Sequence, residues 1–144
     1  MATDNIPRPG VHPLHAILLA FPVALFPSGL AADIAYLKTA EIQWSNFAAW
    51  LIAGALLFAA PVLIWAVFSA IRWRRSPVGR RATAYLVALA VMWVLGLLNA
   101  FKHSADGWSS VGTAGLILSL LTSICAIAAA YLAYSRRPFP EVRS

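Results

Sequence analysis

Apolar residues run almost unbroken through four stretches of this chain, Ala16 to Leu37, Phe47 to Ile71, Ala82 to Phe101 and Val111 to Tyr134, and polar residues gather between them. A helix needs about 20 residues at ~1.5 Å rise to cross a hydrocarbon core of ~30 Å, and each stretch has that length. Lipid gives the backbone no hydrogen-bond partner, so an apolar run of this kind spans as a helix. The pattern predicts an all-α membrane protein with four transmembrane helices over about residues 15–37, 46–72, 82–102 and 110–135. With loops this short, the expected arrangement is an antiparallel up-down bundle.

Breakers refine the boundaries. Pro7, Pro9, Gly10 and Pro13 keep residues 1–13 as an extended arm, so the first helix is expected to start near His15 and the transmembrane domain to run over residues 14–136, followed by a tail at 137–144. Pro22 and Pro27 in the first span and Pro61 in the second each remove a backbone donor, which predicts kinks or wide turns. The second span exceeds the core thickness and should tilt or project through Trp73-Arg74-Arg75 before a turn at Pro77-Val78-Gly79.

Composition and charge then add sidedness. A content of 61% hydrophobic and 11% charged residues does not suit a soluble domain of 144 residues. The N-terminus, second loop and C-terminus carry Arg8, Arg72, Arg74, Arg75, Arg80, Arg81, Arg136, Arg137 and Arg143 against Asp4 and Glu141. The other two loops carry Lys38 and Lys102 against Asp33, Glu41 and Asp106. The positive-inside rule places the arginine side, and with it both termini, in the cytoplasm. Arginines abutting apolar spans face lipid headgroups, so the net charge of +6 points to a membrane surface and not to nucleic acid. Tyr36, Trp44 and Trp108 fall at the outer interface and Trp73, Tyr131 and Tyr134 at the inner one, as anchors. The lone Arg8 and the long apolar run after it predict an uncleaved first helix in place of a signal peptide. Cys125, the single cysteine, falls mid-span and packs as a small hydrophobe.

Polar groups at membrane depth are costly, which makes them the candidates for chemistry. His12 and His15 lie at the cytoplasmic mouth of the first helix, where they could bind a cofactor such as haem b or simply bond headgroups and carbonyls. Asp33, near the end of the first helix, shares a membrane level with Asn99, Lys102 and His103 at the end of the third. Lys102 or His103 would partner the carboxylate, giving either a structural ion pair or a protonatable site open to the periplasm. The two groups sit at opposite faces, about 30 Å apart, so one chain does not bring His12 or His15 to the same iron as His103, and a bis-histidine haem would be shared across a dimer. Ser119, Ser123, Ala126 and Ala130 form a small-residue stripe for helix packing, toward this chain or a partner. No catalytic residue and no metal site is expected.

The opening "HPLHAILLAFPVAL", the Asp33 that follows, and "NAFKHSADGWSSVGTAGLILSLL" together resemble the bacterial membrane family called domain of unknown function 2231. The resemblance covers residues 12–135, with His12, Pro13, His15, Phe21, Pro22, Asp33, Asn99, Asp106 and Trp108 at matching positions. This chain departs from the family pattern at Ala16, where relatives have a second proline, at Ala20, where they have a third histidine, and in its "YLAYSRR" ending. The resemblance implies a multi-pass protein of the bacterial cytoplasmic membrane. Relatives fused to Rieske iron–sulfur or cytochrome c domains imply work beside a respiratory or photosynthetic redox chain. The expected function is a structural or accessory subunit packed against other membrane subunits or a second copy of itself. The alternative is a haem b- or quinone-binding electron-transfer subunit.

Overall fold

The computed structural model describes residues 11–104 and 111–135. These form four helices, α1 (Pro13–Thr39), α2 (Ile42–Trp73), α3 (Gly79–Ser104) and α4 (Thr113–Tyr134), each long and apolar enough to cross a membrane. Asp4, Pro7, Arg8, Pro9, Gly10, Asp106, Trp108, Arg136, Arg137, Glu141 and Arg143 lie outside the described residues.

Helix α1 begins two residues before His15. Pro13 takes the first helical position, where a missing N–H costs nothing, and His12 caps the turn by accepting the Leu14 N–H on Nδ1 at 3.3 Å. Pro13 therefore belongs to the helix and not to the preceding arm. Both α1 and α2 run as single helices through Pro22, Pro27 and Pro61. The α1–α2 connection is only Ala40 and Glu41: Ala40 adopts the left-handed conformation (φ 56°) and its N–H closes on the Tyr36 carbonyl at 2.8 Å. Between α2 and α3 the chain turns through Ser76, whose N–H bonds the Trp73 carbonyl, and Gly79, whose N–H bonds Ser76. Glycine is required there because a Cβ would meet the carbonyl oxygens of Trp73 and Arg74.

Each helix packs on two neighbours, α1 on α2 and α4, and α3 on α2 and α4, with no close backbone approach along either diagonal among the described residues. The contacts give the chain directions. Pairs between α1 and α2 climb one helix as they descend the other, as in His15 with Trp65, Phe21 with Phe58, and Gly29 with Ile52. Pairs between α1 and α3 keep a constant offset, as in His15 with Tyr85, Phe26 with Gly96, and Asp33 with His103. Neighbours are antiparallel and diagonals parallel, which is the up-down-up-down bundle.

Buried positions recur every three or four residues in all four helices: 15, 19, 22, 26, 29 and 33 in α1; 48, 52, 55, 59, 62 and 66 in α2; 89, 92, 96, 99 and 103 in α3; 115, 119, 122, 126 and 129 in α4. This is a 3.5-residue repeat, the seam of left-handed bundles whose helices cross near +20°. The centre of the bundle is Leu19, Phe26, Ile52, Leu89 and Met92, with the alanines of α2 and α4 letting the backbones approach. Phe26 crosses the middle and lies against Gly96, where a Cβ would come within 2.9 Å of its ring. The expected stripe on α4 shifts accordingly. Ser119, Ser123 and Ala126 are buried, but the seam continues through Ala129 while Ala130 is only half-buried, and its partners are α1 and α3 of the same chain.

Candidate functional site

The seam carries polar groups at both ends, about 27 Å apart for the 18 residues that separate Tyr85 from His103 on α3. At the end where α1 and α3 finish, Asp33 is fully buried and stands at the centre of a network. Its Oδ1 lies 2.8 Å from His103 Nε2, and its Oδ2 accepts a short hydrogen bond from the Ser119 hydroxyl. Ser119 Oγ in turn accepts from Asn99 Nδ2 at 2.7 Å. His103 Nδ1 lies 2.9 Å from the Asn99 carbonyl, which can only accept, so Nδ1 carries a proton. One further proton then sits between Nε2 and Oδ1, on the imidazole as an ion pair or on the carboxyl as a neutral pair. The network ties α1, α3 and α4 together, and Ser123 and Thr122 satisfy their own hydroxyls on the Ser119 and Leu118 carbonyls one turn back.

Two expectations change here. Lys102 is exposed and takes no part in the network; it sits 100° around the helix from His103, off the seam. The side chains of Asp33 and His103 are wholly enclosed, so they do not form an open protonatable site. Ser119 was expected only as a packing residue and proves to be a ligand of the carboxylate.

At the other end, His15 is 7% exposed and its Nε2 lies 2.8 Å from the Tyr85 hydroxyl. The Trp65 indole lies against both imidazoles, with its centroid 5.3 Å from that of His12 and 5.3 Å from that of His15. Arg81, one turn before Tyr85, is anchored on the end of α4: Nε and Nη2 donate to the Leu132 carbonyl at 3.0 and 2.7 Å, and Nη2 also reaches the Ser135 carbonyl and hydroxyl. These residues line an open cleft of about 350 Å³. Among the described residues His15 Nδ1 has no hydrogen-bond partner. Asn99 Oδ1 is the counterpart at the closed end, a buried acceptor without a donor among the described residues.

Nothing local in the sequence marks Tyr85, Arg81 or Trp65 as part of this site. The signal that would have found the first two is the seam itself, because 81 and 85 extend the series 89, 92, 96, 99 and 103 backwards by steps of four.

Within one chain the histidines leave few nitrogens for a haem iron. Both nitrogens of His103 are engaged, His15 Nε2 is bonded to Tyr85, and His12 Nδ1 caps α1. Among the described residues only His12 Nε2 and His15 Nδ1 are left, each ring with its centroid 5.3 Å from that of the Trp65 indole.

The sequence pattern of a family described as predicted membrane protein (DUF2231) matches residues 11–134. The chain belongs to that family. The match takes in all four helices of this DUF2231 protein and every residue of both polar ends except Ser135. No curated protein and no solved structure matches it. It is a multi-pass membrane protein of four apolar helices.

Proposed function

We propose that this DUF2231 protein is a structural or accessory subunit of a larger membrane complex, seated in the bacterial cytoplasmic membrane with its arginine end toward the cytoplasm. The carrying observation is that polar side chains along the seam are engaged in joining one helix to another: Asp33 to His103 and Ser119, His15 to Tyr85, Arg81 to the end of α4, and the Trp93 indole to the Leu56 carbonyl at 3.3 Å. A bundle braced in this way offers a rigid apolar exterior, with large side chains such as Trp50 (80% exposed), Leu57 and Phe68 available to lipid or to neighbouring helices. The arginine end supports the orientation through the positive-inside rule.

Purification in a mild detergent, followed by cross-linking from a photoreactive residue in place of Trp50, tests the reading. The expected product is a discrete adduct with a second membrane subunit or a second copy of this chain. A monomer that cross-links only to lipid contradicts it.

A second reading, a quinone-binding electron-transfer subunit, draws on the cleft, where an aromatic wall and the His15 ring would face a flat carbonyl-bearing headgroup. A reduced-minus-oxidised absorption spectrum of the purified protein separates the two readings and also re-examines haem. A chromophore lost on His15→Ala would overturn the accessory reading, and a featureless spectrum with no bound quinone supports it.

A further inference from the structure

The cleft at the arginine end has the chemistry of a binding site for an acceptor. A Tyr85 hydroxyl that donates to His15 Nε2 satisfies both groups and puts the imidazole proton on Nδ1; the opposite arrangement would leave both the Tyr85 proton and the Nδ1 lone pair without partners. His15, a residue of the cavity wall, is therefore a buried N–H donor lacking an acceptor among the described residues. Arg81 lines the same cavity with its guanidinium fixed on the end of α4. The charge there is unbalanced among the described residues. Arg72, Arg74, Arg75, Arg80 and Arg81 gather at this end, while the described carboxylates, Asp33 and Glu41, are both at the other.

A second cavity, of about 390 Å³, adjoins the first and shares Trp65 and Ser69 with it. Arg72 lines it, and Pro61, Ile64 and Phe68 carry it along the exposed face of α2. A cationic, donor-bearing cleft opening into an apolar groove has the outline of an amphipath with an anionic head and a long chain.

We propose that this end of the protein binds one anionic phospholipid, with its phosphate at Arg81, beside His15, and an acyl chain along the groove from Trp65 to Pro61. Phosphate supplies the acceptor oxygens that a charged guanidinium favours. The inference is independent of the accessory reading and stands or falls on a different measurement.

Native mass spectrometry of the full chain, released from detergent after exposure to phosphatidylglycerol, phosphatidylcholine or decylubiquinone, tests it. Phosphatidylglycerol should be retained in preference to phosphatidylcholine, and Arg81→Gln should lower that retention about fivefold, the effect of losing one such charge. Arg72→Gln should act in the same direction, and it carries the comparison if circular dichroism shows that Arg81→Gln loosens the bundle. The double substitution Arg74→Gln/Arg75→Gln removes more charge outside both cavities and should leave retention unchanged. An equal loss in that control would mean a diffuse basic surface and overturn the proposal. Equal retention of the zwitterionic lipid would overturn it too, as would displacement of the lipid by decylubiquinone, or by millimolar inorganic phosphate with no preference for an acyl chain.

Discussion

The two ends of the bundle use the same device to different effect. At each, a histidine on the seam bridges the diagonal between α1 and α3, His103 to Asp33 at one end and His15 to Tyr85 at the other. At the Asp33 end, α4 supplies Ser119 as a third element, small residues close the packing, and the side chains of the pair are fully enclosed. At the His15 end, α2 supplies the large ring of Trp65, and the helices stand far enough apart to leave a cleft. A polar bridge closed by small residues acts as a lock. The same bridge beside a large aromatic ring leaves an open cleft.

The largest effect is expected at the lock. Asp33→Ala leaves His103 buried without its partner and should lower stability by about 3–5 kcal/mol, read by unfolding in mixed detergent micelles. Replacing both partners together with apolar residues should recover most of that loss, because the penalty belongs to the orphaned group. A simple sum of two losses would count against a coupled pair.

Midway along the bundle, Gly96→Ala places a methyl group within 2.9 Å of the Phe26 ring, which is itself buried. Overpacking of this kind costs about 1–3 kcal/mol, part of which alanine's better helix propensity offsets. Adding Phe26→Leu should restore room and raise the melting temperature of the single variant, and no recovery would place the strain elsewhere. At the open end, Tyr85→Phe leaves His15 Nε2 without its partner and should cost about 1–3 kcal/mol, less than Asp33→Ala because both groups are uncharged. A cost equal to that of Asp33→Ala would erase the distinction between lock and site. The smallest effect is at the α1–α2 turn, where Ala40→Gly relieves a left-handed backbone conformation and should stabilise by no more than about 1 kcal/mol in the same unfolding assay.

The four helices were legible because lipid imposes long apolar runs that few other structures require. Asn99 and His103 were legible as one face because a spacing of four is local to a helix, and Asp33 because a carboxylate in an apolar run stands out. The roles of Ser119, Tyr85 and Trp65 depend on which helix lies beside which, and spacing within one helix does not carry that. The buried faces follow a 3.5-residue repeat, so a stripe drawn at steps of four, three and four from Ser119 drifts off the seam by Ala130. Lys102 missed for a related reason: it lies one residue from His103 in the chain but a quarter-turn away in space.

The contrast between a closed and an open end is tested most directly by cysteine labelling in a Cys125→Ser background, with Ser119→Cys reporting the Asp33 network and Ser69→Cys reporting the cleft. With a water-soluble maleimide applied to sealed and to permeabilised vesicles, Ser69→Cys should be modified from one side of the membrane and Ser119→Cys from neither. Rapid modification at position 119 with position 69 protected would contradict the account.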